Sequence, residues 1–317
     1  MPKILLIDID SKIPNVALNK IALYHQEKGY EIVWGKANLC DDLFFSARPY
    51  ESVWVSCVFS NNQPAAQKWA DLHPTVYIGG SGVDINIALP PEIDCMKPKI
   101  NYGFTSRGCP RKCQFCVVPK KEGFVHPVGD IYDFWDGKSK SIALLDNNIL
   151  ALPKHFFKVT DQLIKEGLKV NFNQGLDCRL VTPEIARRLK EVRHLNRYLF
   201  AFDSMAVKPF VLRAISTLKE AGINSCRWYV LIGFDTTPKE DYERIETLRQ
   251  LNQFVYPMPY NRDPSSRFFS PIIKYCNYHD NYFRTMTLIQ FLNKTISGEI
   301  KSIYVNHAKT WLDAITK

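Results

Sequence analysis

Asn101-Tyr102-Gly103-Phe104-Thr105-Ser106-Arg107-Gly108-Cys109-Pro110-Arg111-Lys112-Cys113-Gln114-Phe115-Cys116 begins as a short strand, NYGFTS (101–106), and runs into a loop carrying three cysteines. Downstream, short β-branched or aromatic runs recur at near-regular intervals: SIALLD (141–146), LKVNFN (168–173), RYLFAF (197–202), RWYVLI (227–232) and NQFVYP (252–257). Bounded by turn residues, they read as strands, and the interval is that of one strand–helix–turn unit. Helix starts are marked by Thr182 before Pro183 and by the capping box Thr237-Pro238-Lys239-Glu240. A helix near 206–221 closes on Gly222. Six units span about 160 residues, short of the ~250 of a closed eight-unit barrel. An open, partial (β/α)6 barrel is expected over 100–260, with a plain doubly wound sheet as the competing arrangement.

Upstream, KILLIDI (3–9), YEIVWG (30–35), SVWVSC (52–57) and TVYIGG (75–80) alternate with helical segments. Ile13, Ala17, Ile21 and Tyr24 recur at helical spacing between the first two, with Gly29 as the closing cap. Near-continuous apolar strands with helical crossovers imply a parallel sheet covered on both faces. The fold class is therefore α/β: a small doubly wound domain over 1–83, a proline-bearing linker over 84–99, the partial barrel, and a helical extension over 261–317. That extension opens on the loop-like NRDPSSRFFSP and continues with helical runs from about Asp280 to Lys294 and from Val305 to Ile315.

No segment approaches the ~20 apolar residues of a membrane helix. The apolar start ends in acids and reads as a buried strand instead of a signal peptide. A cytoplasmic protein without membrane contact is expected. Lys and Arg outnumber Asp and Glu by 41 to 32, a balance compatible with anionic partners. The basic cluster Arg187, Arg188, Lys190, Arg193 and Arg197 falls at helical spacing, however, and reads as a solvated face. Nucleic acid is not the favoured partner.

Nine cysteines, an odd number, argue for reduced thiols or metal ligation over a disulfide framework. Cys40, Cys57, Cys95, Cys178, Cys226 and Cys276 are scattered; Cys109, Cys113 and Cys116 lie at x3 and x2 spacing. A loop of that length can wrap three thiolates around one soft metal centre. A four-iron cluster held by three cysteines keeps one iron open for a ligand. Zinc would want a fourth ligand, and the nearest candidate, His126, belongs to no paired motif.

Cys109-x3-Cys113-x2-Cys116, with Phe115 before the third cysteine and a strand before the loop, resembles the cluster loop of the radical SAM enzymes. The resemblance covers roughly 100–260. It implies a [4Fe-4S] cluster on Cys109, Cys113 and Cys116, with its fourth iron chelated by S-adenosylmethionine and Phe115 beside the adenine. An electron from a flavodoxin- or ferredoxin-like donor then cleaves the sulfonium, giving a 5′-deoxyadenosyl radical that abstracts hydrogen from substrate. The Gly-Gly-Glu that often ends the second strand in that family is replaced by Leu145-Asp146-Asn147-Asn148, so Asp146 or Asn148 would accept the hydrogen bonds of the methionine amino group. Gln174, Asp177, Arg179 and Asp203 fall at later strand ends, where a barrel collects its site residues. Arg179 would pair with the methionine carboxylate, and Gly233 would admit the backbone to the adenine. Loop-capping hydrogen bonds are the alternative role for each.

The amino-terminal domain resembles the cobalamin-binding arrangement of many such enzymes, with Ser56 and Gly79-Gly80 in matching places. Its cobalt-ligating histidine signature is replaced by Asp8-Ile9-Asp10-Ser11-Lys12-Ile13, so a vestigial or substrate-facing domain is the reading preferred over cobalamin. Three other functions compete: a cobalamin-dependent methyltransferase, an RNA methylthiotransferase-like enzyme, and a metal-stabilised nucleic-acid-binding protein. The second would need a further three-cysteine cluster; Cys57 and Cys95 are available, but the cysteine expected after the first strand is absent.

Overall fold

The computed structural model describes residues 1–41, 49–260 and 267–316. The start of the expected loop, 261–266, lies outside them. The chain gathers into two compact units, Met1–Leu145 and Asp146–Lys317. It is a mixed α/β protein with parallel sheets.

In the first unit, β1 (Lys3–Asp8), β2 (Glu31–Gly35), β3 (Ser52–Ser56) and β4 (Val76–Gly79) form a parallel sheet in the order β2-β1-β3-β4. Alternate side chains of β1 serve opposite faces, as the strand period requires. Ile4 and Leu6 pack with Leu18, Ile21 and Ala22 of α1 (Val16–Glu27). Leu5 and Ile7 pack with Val53, Val55, Ala66 and Trp69, where α2 (Gln63–Gln67) contributes. Helix α1 starts later than its periodicity implies. Asn15 caps it by accepting the Leu18 N–H at 3.1 Å, leaving Ile13 outside the helix and exposed. Gly29 follows its end at φ +82°, the left-handed geometry a helix stop favours.

The segment expected as a linker carries α3 (Pro91–Asp94), and its Ile93 is buried in the α1-side core. The expected strand 101–106 is broken in two. β5 (Tyr102–Gly103) pairs in parallel with β8 (Ser141–Leu144), whereas β6 (Ser106–Arg107) turns away to pair antiparallel with β7 (His126–Pro127). Thr105 between them spends its carbonyl on Val128 N–H at 2.8 Å, so the first ladder cannot continue. Between β6 and β7 lies α4 (Val118–Lys121).

The second unit alternates α5 (Pro153–Lys165), β9 (Lys169–Phe172), α6 (Pro183–Glu191), β10 (Leu199–Ala201), α7 (Lys208–Glu220), β11 (Arg227–Ile232), α8 (Pro238–Gln250) and β12 (Phe254–Pro259). β10, β11 and β12 pair in parallel in that order, and bridges Val170↔His194 and Leu176↔Phe200 extend the parallel pattern. The caps fall where the sequence puts them: Thr182 accepts from Ile185 N–H, Thr237 and Glu240 form a full capping box, and Gly222 follows α7 at φ +82°. On α6, Arg187 and Lys190 are exposed, and Arg188 pairs with Asp161 and Glu191, which is the chemistry of a solvated face.

Beyond β12, α9 (Ser270–Asn277) forms between the expected loop and the helix expected from about Asp280. The single helix expected over 280–294 is instead a π-turn at His279–Phe283 followed by α10 (Leu288–Ile296). Thr287 and Gln290 make a capping box that restarts the helix. α11 (Val305–Thr316) closes the described chain, and its buried Trp311 stacks on Phe268. No described helix is long and apolar enough to cross a membrane.

Candidate functional site

The three cysteines share one loop, and its stem is built from side chains and backbone together. Arg107 faces His126 across the β6–β7 pair. Its guanidinium forks onto Glu122, Nε to Oε2 at 2.5 Å and Nη2 to Oε1 at 2.6 Å. Two parallel charge-assisted bonds fix direction as well as distance. Gly108 follows at φ +82°, and a Cβ there would stand 2.5 Å from the Phe124 carbonyl oxygen. Cys109 N–H then donates to Gly123 O at 3.1 Å.

Within the loop, Arg111 N–H points to Cys109 Sγ at 3.5 Å and Cys116 N–H donates to Cys113 O at 3.1 Å. Cys109, Cys113, Phe115 and Cys116 are all half-buried. The donor set suits a soft metal: three sulfurs on one loop, partly open, one already facing a backbone N–H. Among the described residues no group of three or more His, Cys, Asp or Glu side chains is drawn together in a metal-holding arrangement.

Gly108→Ala tests the stem. A left-handed alanine against a carbonyl carries strain of about 1–3 kcal/mol. The variant should retain several-fold less iron after reconstitution, with its far-ultraviolet dichroism unchanged; full iron retention would count against the stem's role.

The remaining candidate residues lie in the second unit, in two groups. Asn148, buried, donates from Nδ2 to Asp177 Oδ2 at 3.2 Å. Asp177 is also gripped by Arg179, Nε to Oδ1 at 2.7 Å and Nη2 to Oδ2 at 3.2 Å. The guanidinium expected to meet a methionine carboxylate is thus turned onto a neighbouring side chain. Asp146 is buried two residues beyond β8. Gln174 is exposed in the turn after β9 and belongs to neither group.

The second group joins Asp203 and Gly233 through residues that strand-end reasoning missed. Asp203 accepts Leu231 N–H at 3.3 Å, and burial raises its carboxyl pKa. Arg244, wholly buried, donates to Phe202 O at 2.6 Å and Leu231 O at 2.7 Å, and pairs with Asp241. Asp241 in turn accepts Gly233 N–H at 3.2 Å and the Thr236 hydroxyl at 2.5 Å. One helix turn of α8 therefore brackets the carboxyl ends of β10 and β11 and the Gly233 turn. A buried i,i+3 acid–base pair on the apolar side of α8 was the available signal. Gly233, at φ +73°, leaves no room for a Cβ, which would fall 2.5 Å from the Phe269 ring.

No family model matches the chain. The chain is similar to a tRNA-2-methylthio-N(6)-dimethylallyladenosine synthase of Hydrogenobaculum sp. (strain Y04AAS1), 26% identical over 192 residues. The match takes in 52% of this chain and 44% of that protein, so the chain spans less than half the length of its relative. This distant similarity supports the radical SAM superfamily.

At superfamily level, the implied cofactors are a [4Fe-4S] cluster and S-adenosylmethionine. Four of the scattered cysteines, Cys57, Cys178, Cys226 and Cys276, are buried, unlike the half-buried triad. Cys57 is buried, its Sγ 3.3 Å from Phe59 O and 3.5 Å from Asp10 Oδ2, and burial pushes its thiol up to about 11. Burial likewise pushes Cys178 and Cys226 up to about 12 and raises Cys276 well above its ordinary value. These are packed, protonated thiols at neutral pH. The loop after β1, which lacks the histidine of the cobalamin signature, is organised around Asp10. Its carboxylate accepts Val58 N–H at 2.8 Å, Phe59 N–H at 2.9 Å and Asn62 Nδ2 at 3.1 Å. Burial pulls the Asp10 pKa up, but these donors together hold it below the usual carboxylate range.

Proposed function

We propose that this chain is a radical SAM enzyme that binds a [4Fe-4S] cluster through Cys109, Cys113 and Cys116 and cleaves S-adenosylmethionine to begin radical chemistry. The observation that carries the proposal is the three-cysteine loop on its Arg107–Glu122 stem; the similarity to the synthase supports it. When bound, the cluster supplies the electron that breaks the sulfonium. The chain's own residues hold the loop in register, present Phe115 beside the third sulfur, and fix the Gly233 turn through Asp241 and Arg244. In this reading the strand–helix series belongs to a partial (β/α)6 barrel, and a flavodoxin- or ferredoxin-like protein delivers the electron.

Methylthiolation of RNA is not part of the proposal. It would call for a second cluster in the first unit, where Cys57 is buried against Asp10 and Phe59. Anaerobic reconstitution should give about four irons per chain, and about eight would favour the two-cluster alternative. Incubation with S-adenosylmethionine and a strong reductant should release 5′-deoxyadenosine. Its absence from a fully reconstituted sample would overturn the proposal, and S-adenosylhomocysteine in its place would identify methyl transfer.

A further inference from the structure

A cavity of about 940 Å³ opens in the first unit on the α1 side of β3 and β4; none of the three cysteines lines it, although Arg107 and Glu122 of the loop's stem form part of its wall. Its origin can be read from four side chains. Trp54 and Ser56 share one face of β3, and Tyr77 and Gly79 are their register partners on β4. The two aromatic rings stack at 4.1 Å between centroids, 23° from parallel, and Tyr77 stays 49% exposed. One step along each strand, serine and glycine remove the bulk, so the floor drops beyond the aromatic pair. Over this part of the sheet the chain supplies the irregular stretch 85–90 and the one-turn α3. The result is a flat aromatic platform beside a recess at the carboxyl ends of parallel strands, where α/β sheets collect ligands.

The charges define what the recess would hold. The backbone N–H groups of Val58 and Phe59, a natural anion seat at the end of β3, are already taken by Asp10. Lys20 at the rim is engaged by the Asp94 carboxylate at 2.7 Å, and Arg107 by Glu122. Two of the three lining cations are thus neutralised from within, and the third, Lys121, stands beside the Arg107–Glu122 pair in sequence. Ser56 Oγ accepts from Asn15 Nδ2 at 2.9 Å, which leaves its O–H to donate elsewhere. A planar, uncharged ring with polar edges satisfies these conditions better than a phosphate does.

We infer that this cavity binds a heteroaromatic base of the nucleoside class, stacked on Tyr77 with its polar edge toward Ser56. A free nucleoside and an unpaired nucleotide of RNA both offer this ring. The test measures binding of adenosine, guanosine, AMP and a short single-stranded RNA by equilibrium dialysis and by tryptophan fluorescence, using the full chain. At least one nucleoside or the RNA should bind saturably. Tyr77→Ala should weaken that binding about tenfold or more, and Tyr77→Phe should preserve it. Loss confined to the RNA would assign the base to RNA, and loss with free nucleosides would assign it to a small ligand. Absence of binding overturns the inference. So does binding that Tyr77→Ala leaves unchanged, since an adenine site elsewhere in the chain would behave that way. AMP binding tenfold tighter than adenosine would overturn the uncharged assignment. Tyr77 is half-exposed on an edge strand, so both variants should keep the wild-type dichroism. Because cluster assembly does not enter, failure here leaves the proposed radical chemistry untouched.

Discussion

Cys113→Ala should reduce 5′-deoxyadenosine formation to background and strip the chain of its iron–sulfur absorbance. The three sulfurs share one loop, and removing the central one leaves two thiolates, too few to hold a four-iron centre. The fold should survive. The Arg107–Glu122 fork, the Cys109–Gly123 bond and the β6–β7 pair involve no atom of Cys113. A matched control is Cys95→Ala, which removes an exposed thiol after α3 and should leave iron content and turnover unchanged. Retained turnover in Cys113→Ala would refute the ligand assignment, and lost dichroism would mean the loop is structural.

The largest stability effect is expected at the α8 bracket. Arg244 and Asp241 are both essentially out of water, so removing either partner strands the other's charge in the interior. Arg244→Met or Asp241→Leu should each lower the unfolding free energy by about 3–5 kcal/mol. The double variant should cost less than the two singles combined, by about 1–3 kcal/mol, because no charge is left unpaired. It should still fall short of wild type, since Phe202 O and Leu231 O lose the donor that Arg244 provides. Urea denaturation of all four proteins supplies the cycle; strictly additive losses would show that the pair is not a unit.

Much of the fold could be read from local signals because those signals are local in origin. Thr182-Pro183, Thr237 with Glu240, Gly29 and Gly222 mark helix ends through their own side chains or backbone freedom, and each holds its expected place. Readings that depended on distant partners fared differently. Ile13 has helical spacing, yet Asn15 starts the helix beyond it. NYGFTS has the composition of one strand, yet two different partners divide it. The capping box at Thr287 was present in the sequence, and the apolar run around it concealed the break. At the candidate site, cysteine spacing is visible along the chain, whereas the Arg107–Glu122 fork and the Arg244 bracket join residues through space. Nothing in the sequence around Arg179 foretold that Asp177 would take both prongs of its guanidinium.

The stem beneath the cysteine loop has a consequence for the order of maturation. Its ends are joined by an ion pair, a backbone bond and a two-residue ladder, all supplied by the polypeptide. The entropy of closing the loop is therefore met when the chain folds, before any metal arrives. On the proposed assignment, iron would then meet three sulfurs already confined to one short span of chain. Small zinc modules stay unfolded until the ion binds; with a stem supplied by the polypeptide itself, the proposed cluster loading would instead be a late, local step.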